Sequence, residues 1–219
     1  METTEQLALI QDYTVQQLSG DKSGHGLDHI HRVVTNVKML LADEPSASYL
    51  ITLTAAYLHD VIDDKLVSDV EAARQGVIEL LTQAAFSQPQ INTVMLIIDN
   101  MSFSKSLTPD RQPLPIEGLI VQDADRLDAI GAIGIARAIY YGGKHGEKIY
   151  DPTVKPRTSM TKAEYRNLAN ETIINHFYEK LFKLADQMNT PAAKRIAQAR
   201  QKVMSQFVND FKSEWNGMA

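Results

Sequence analysis

Apolar and polar positions follow a helical period along nearly the whole chain. Leu7, Ile10, Thr14 and Leu18 recur every three or four residues, behind a Thr3–Gln6 pair spaced as a capping box. Gly20, Gly24 and Gly26 end that helix and put Ser23-Gly24-His25-Gly26 in a loop. Leu27, Ile30, Val34, Val37 and Leu41 mark a second helix, which Pro45 stops. The next stretch is apolar almost throughout, from Tyr49 to Leu58, with Ser46 as its expected cap. Apolar residues on every turn predict a helix buried on most sides. A helix from about Ser68 carries Val70, Val77, Leu80 and Leu81, and one from about Gln88 to Met101 carries Ile91, Val94, Met95 and Ile98.

Ser102 to Pro115, broken by Pro109 and Pro113, reads as a loop or lid near the site. Ile116 to Val121 resumes the apolar pattern and runs into Gln122-Asp123-Ala124-Asp125-Arg126-Leu127-Asp128. These carboxylates are expected to precede a helix of small residues, Ala129, Gly131, Ala132, Gly134 and Ala136, that packs closely and ends at Gly142-Gly143. Lys144 to Ser159 reads as an exposed polar excursion. Thr161 and Glu164 are spaced as a capping box for a long helix through Leu168, Ile173, Ile174, Phe177, Leu181 and Leu184. Thr190-Pro191 starts a last helix, with Thr190 as N-cap, reaching about Trp215. There is no alternating strand pattern, internal repeat or linker. The expected fold is all-α, with residues 1–219 as one domain.

Composition narrows the function. The chain has no cysteine, which removes disulfides, thiolate metal sites and cysteine nucleophiles. A net charge of -5 leaves no electrostatic footprint for nucleic acid, although a few local cations suffice for a free nucleotide. The acidic N-terminus has no signal-peptide pattern, and no apolar run approaches the roughly 20 residues that span a bilayer. A cytoplasmic location without a membrane partner is the expectation.

The candidate chemistry sits where the central apolar run ends, in Leu58-His59-Asp60-Val61-Ile62-Asp63-Asp64-Lys65. Imidazole beside carboxylate suits a divalent transition metal. Adjacent helical residues face different ways, so His59 and Asp60 share an ion only from a helix end or a loosened turn. A helix end with a capping histidine and solvated charges explains the same residues. Of the six histidines, His25, His29 and His31 crowd one short segment, and His29 lies beside the Leu27/Ile30 stripe, able to face inward or to cap. Asp123 and Asp125 are ligand candidates or N-caps.

The order His29, His59-Asp60, Asp125 resembles the H…HD…D pattern of the HD superfamily of metal-dependent phosphohydrolases. The flanks Gly24-His25-Gly26-Leu27-Asp28-His29-Ile30-His31-Arg32-Val33 and Gln122-Asp123-Ala124-Asp125-Arg126-Leu127-Asp128 are similar to a bacterial branch of that superfamily. So are Phe177 to Lys183, Met188-Asn189-Thr190 and Arg200, and together these motifs cover His25 to Arg200. The resemblance implies an HD domain with a motif-bearing core over about 25–141, completed on the substrate side by helices over about 161–215. It also implies one divalent metal held by His29, His59, Asp60 and Asp125, with manganese the first choice and magnesium, iron, cobalt or nickel open.

By analogy with guanosine tetraphosphate hydrolases of the same superfamily, Asp63 or Asp64 orients the attacking water or moves its proton. His25, Arg32 and Lys65, beside the ligands, and Lys180 and Lys183, further along, are the cations expected to meet phosphate. Asp123 and Asp128 are expected to orient the ligands or close local hydrogen bonds. The implied reaction is hydrolysis of a (deoxy)nucleoside triphosphate to monophosphate and pyrophosphate. Removal of a terminal phosphate from a nucleoside monophosphate or another phosphomonoester, guanosine tetraphosphate hydrolysis and non-catalytic nucleotide binding are the alternatives. The oligomeric state is not legible, a homodimer being one option.

Overall fold

Why the middle of the chain is buried on all sides follows from one helix with almost no polar face. The computed structural model describes residues 1–20, 26–64, 66–102, 112–157 and 172–218. Their residue contacts fall into two compact units, Met1–Asp125 and Arg126–Ala219.

The first unit holds α1 (Thr3–Leu18), α2 (Leu27–Leu41), α3 (Tyr49–Leu58), α4 (Val70–Gln83), α5 (Gln88–Asn100) and most of α6 (Ile116–Asp128). α3 is the hub: every residue from Ile51 to Leu58 is buried, and it packs against α1, α2 and α5. α4 packs on α1 and α5 at the periphery. α2 turns Ile30, Val33, Val34, Val37 and Leu40 inward. Leu27 and Leu41, expected on that face, are only half-buried, because Val33 and Leu40 lie nearer its centre.

The second unit holds α7 (Gly131–Lys144), α8 (Ile173–Glu179), two 3-10 turns at Leu181–Lys183 and Ala185–Gln187, and α9 (Pro191–Trp215). α7 lies against α9, and α8 packs on α7 and the first 3-10 turn. An aromatic run links Phe177, Phe207, Phe211 and Trp215 by successive ring contacts. Lys148 and Thr172 make an isolated parallel bridge, and no strand occurs among the described residues. Nor is any helix among them long and apolar enough to cross a membrane.

Several local expectations are corrected. The first capping box is Glu2 with Glu5, one residue earlier than Thr3–Gln6, because Glu5 reaches back to the Glu2 N–H at 3.0 Å. Ser48, not Ser46, caps α3 by accepting from the Ile51 N–H. Asp123 and Asp125 lie within α6 rather than ahead of a helix. α8 starts at Ile173, capped by Thr172, and stops at Lys180, whose backbone leaves helical geometry. Among the described residues, the part of the expected long helix from Ile173 to Leu184 is therefore a short helix followed by 3-10 turns. The excursion after α7 is not wholly exposed, since Arg157 anchors it to buried Glu179 through its backbone and side-chain N–H groups. The Ser23–His25 part of the first loop, Lys65, most of the proposed lid, and the Thr161–Glu164 box lie outside the described residues. Thr190 does cap α9, accepting from the Ala193 N–H at 3.3 Å, with Pro191 in the first turn.

Candidate metal centre

The α-helical hydrogen-bonding of α3 stops at Leu58, one residue before the two candidate ligands. A helix end leaves carbonyls without partners. Here the Tyr57 carbonyl accepts from the Thr14 hydroxyl at 3.3 Å, and the Leu58 carbonyl accepts from the Val61 N–H at 3.1 Å. The Val61 bond is the tightened type, spanning three residues. At this helix end the adjacent side chains of His59 and Asp60 still approach one another, with Asp60 Oδ2 3.4 Å from His59 Nε2.

The Ala56 carbonyl lies 2.8 Å from His59 Nδ1. A carbonyl only accepts, so Nδ1 carries the proton and donates, and the neutral ring keeps its lone pair on Nε2. His29, in the first turn of α2, brings its own Nε2 to 3.2 Å from that atom. Asp60 Oδ2 is 3.4 Å from each Nε2, and Asp125 Oδ1, from α6, is 3.6 Å from His29 Nε2. One ligand atom from each of His29, His59 and Asp125 lies within 4.8 Å of the others. His29, His59 and Asp60 are buried, whereas the Asp125 side chain is 34% exposed and forms the wetter side of the cluster.

His29, His59 and Asp125 form a donor set that fits a divalent cation, with Asp60 Oδ2 beside both imidazoles. Ligands about 2.1 Å from a shared ion sit about 3.0 Å apart at adjacent octahedral positions and about 3.4 Å apart in a tetrahedron. Three of the observed separations, 3.2, 3.4 and 3.4 Å, fall in that range, and the fourth, 3.6 Å from Asp125 to His29, is slightly longer. A proton shared between the two imidazoles would satisfy one edge only. Two carboxylates beside two imidazoles in a largely buried place are a setting that a cation would stabilise. Nitrogen and oxygen donors without sulfur suit Mn, Fe, Co, Ni or Zn, and the carboxylates also accept Mg.

The other residues expected at the site take varied positions. Asp63 is half-buried and Asp64 exposed, in the turn that follows Asp60. The Asp63 N–H donates to the Asp60 carbonyl at 3.1 Å, so Asp63 belongs to the same tightened chain. Arg32, one turn along α2 from Asp28, donates to Asp28 Oδ2 at 2.7 Å. Partial burial works to raise the Asp28 carboxyl, but the Arg32 hydrogen bond and charge, with the His29 N–H and ring, hold it below the ordinary aspartate range. Asp123 is fully buried but leaves α6 on nearly the opposite side from Asp125, being two residues away. Asp128 pairs with Arg137 inside the second unit. Lys180 and Lys183 are half-buried there, at the end of α8 and in the first 3-10 turn. His25 and Lys65 lie outside the described residues.

Two partners escaped the sequence reading. The Ala56 carbonyl carries no residue-type signal, being backbone. Asn36 did carry one: a polar residue on the apolar face of α2, two turns after His29, it donates from Nδ2 to the Ala124 carbonyl at 3.1 Å.

Comparison with known proteins places this geometry in a wider set. A family model described as the HD domain matches residues 26–130. YpgQ of Bacillus subtilis (strain 168) is 33% identical over 218 residues, covering 100% of this chain and 98% of YpgQ. A crystal structure of a Lactobacillus plantarum protein is 51% identical, with a TM-score of 0.87, covering 99% of this chain and 100% of that one. A crystal structure of YpgQ in complex with ADP has 31% identity and a TM-score of 0.74, covering 100% of both chains. A Bacillus thuringiensis HD-superfamily hydrolase is 39% identical, with a TM-score of 0.76, covering 98% of this chain and 99% of that one.

Proposed function

The chain belongs to the HD superfamily of hydrolases, and on that premise we propose that it is a divalent-metal-dependent phosphohydrolase that splits (deoxy)nucleoside triphosphates into monophosphate and pyrophosphate. The observation that carries this reading is the convergence of two buried imidazole Nε2 atoms at 3.2 Å with the Asp60 and Asp125 carboxylates beside them. The ADP complex of YpgQ, alike over the whole chain, supports a nucleotide as the ligand class.

His29, His59, Asp60 and Asp125 would hold one metal ion, manganese by first choice. When bound, such an ion supplies Lewis acidity at phosphate oxygen and lowers the pKa of water. The remaining steps belong to the chain. The Ala56 carbonyl keeps His59 in the tautomer whose Nε2 faces the centre. Asp63 or Asp64 orients the attacking water and takes its proton, a contribution worth roughly 10²–10⁴-fold. The water oxygen forms a bond to the α-phosphorus, the bond from that phosphorus to the bridging oxygen breaks, and pyrophosphate leaves with the electron pair. Phosphate charge is met by Arg32, held by Asp28, together with His25, Lys65, Lys180 and Lys183. In this reading residues 1–219 act as one domain in the cytoplasm, the C-terminal helices completing the substrate side.

The test is incubation of the pure protein with Mn²⁺ and a panel of ribo- and deoxynucleotides, with products resolved by chromatography beside an Asp125→Ala control. Monophosphate and pyrophosphate in equal amounts, absent from the control, are expected. Stepwise release of free phosphate would replace this reading with a phosphomonoesterase. Binding without any turnover would leave a nucleotide-binding regulator.

A further inference from the structure

α2 and α6 bring His29 and Asp125 to the centre from separate helices, so the offset between those helices sets the spacing of the two ligands. Apolar packing is non-directional, so a hydrogen bond between the two helices adds a directional constraint on that offset. A metal site tolerates only about 0.2 Å in its ligand distances. A directional link between the two helices close to the ligands would hold that spacing.

Asn36 provides such a link. It is 8% exposed and shares the inward face of α2 with Val33, Val37 and Leu40. An amide buried among such neighbours is unfavourable unless it is hydrogen-bonded. Its Nδ2 donates at 3.1 Å to the carbonyl of Ala124, the residue next to Asp125. On α2 it lies seven residues after His29, two turns along the same side. One bond therefore ties the His29 face of α2 to the backbone beside Asp125. Elsewhere α6 is joined to other parts of the unit: Glu117 accepts from the Ser48 N–H at 2.9 Å, and Gln122 donates to the Met101 carbonyl at 2.7 Å.

We propose that Asn36 is a positioning residue for the metal centre, its side-chain amide locking α2 to α6 so that His29 and Asp125 are held at ligand spacing. The proposal rests on the reading of that centre as a metal site. It separates positioning from stability for a specific reason. The Ala124 carbonyl lies within α6, where the Asp128 N–H, four residues on, is its helical partner. Asn36 uses the second lone pair, so replacing it with an apolar residue leaves that carbonyl bonded and removes a buried amide.

The experiment measures Mn²⁺ affinity by titration calorimetry on chelator-treated full-length protein, for wild type, Asn36→Leu and Asn36→Ala, with urea unfolding of each metal-free protein. The Leu variant is expected to unfold at the wild-type urea midpoint or above it, yet to bind Mn²⁺ about tenfold more weakly. The Ala variant, which cannot overpack, should show the same loss of affinity if Leu disturbs folding. Affinity within twofold of wild type in both variants, or a loss that tracks lower stability, overturns the role of Asn36 alone. A wild-type protein that binds no Mn²⁺ overturns the metal reading and this proposal with it.

Discussion

Replacing Gly134 with alanine tests the corner between α6 and α7, and two lines of reasoning give opposite signs. Helix propensity alone says the change stabilises, by about 0.8–1.0 kcal/mol for an interior position. The structure says otherwise. A Cβ on Gly134 would lie 2.3 Å from the Ala129 carbonyl oxygen and 2.6 Å from its carbon. Both are backbone atoms, so no side chain can swing away, and the gap must open by about 1 Å to reach ordinary contact. Overpacking of this kind costs about 1–3 kcal/mol, and a rigid backbone clash belongs in the upper half. Subtracting the propensity gain leaves a net loss of about 1–2 kcal/mol, or a melting temperature lower by about 2–8 °C for a chain of this size. Gly143, in the same helix, is the control, since a Cβ there meets nothing within 4 Å. Gly143→Ala should gain a few tenths of a kcal/mol, about 0.5 at most near a helix end. Urea unfolding and calorimetry of the two variants beside wild type decide the matter. If Gly134→Ala is as stable as wild type, or moves in the same direction as Gly143→Ala, the close approach of α7 to the corner is wrong.

Mn²⁺ at about a hundred times its dissociation constant should add about 2.7 kcal/mol, raising the melting temperature by about 5–11 °C; a chelator should reverse the shift, and an equal shift in Asp125→Ala would place the ion elsewhere. Arg137→Gln leaves the buried Asp128 carboxylate short of its ion-pair partner and should cost about 3 kcal/mol, the low end for such a loss because the Arg200 charge still faces Asp128; a urea midpoint equal to wild type would contradict it. Asp151 accepts from the Thr153 hydroxyl, the Lys148 ammonium and the Thr153 N–H, which together pull its carboxyl from 3.8 down to about 2. Because the folded value is the lower one, the stabilisation it supplies is complete above about pH 4 and is lost as pH falls through about 2, whereas an NMR-detected titration near 4 would refute the hydrogen bonds.

Helix identity was legible wherever the apolar period was strong, because burial of a stripe is a property of spacing alone. That is why the apolar run at Tyr49–Leu58, the Thr190-Pro191 start and the α5 stripe appear where the residues put them. The order His29, His59-Asp60, Asp125 was equally readable, since residue type and sequence order need no coordinates. Cap positions were not, because Glu2 against Thr3 and Ser48 against Ser46 differ only in which side chain reaches a free N–H. The break at Lys180 was likewise hidden, as the apolar spacing runs through it and only local backbone geometry departs from the helix.

The tertiary structure alone decided how the centre is assembled. Sequence allowed His59 and Asp60 to share an ion only from a helix end or a loosened turn, and the structure places them at the end of α3 with Asp60 Oδ2 3.4 Å from His59 Nε2. The motif order already named Asp125, and the structure adds its distance: from α6 its Oδ1 comes to 3.6 Å from His29 Nε2, while Asp123, two residues away, leaves the helix on nearly the opposite side. The His59 tautomer depends on the Ala56 carbonyl, and the tie between α2 and α6 depends on Asn36 meeting the Ala124 carbonyl 88 residues away. Residue types state which atoms can bind a metal; which of them come within a few ångströms of one another is set by packing between remote segments that no local pattern encodes.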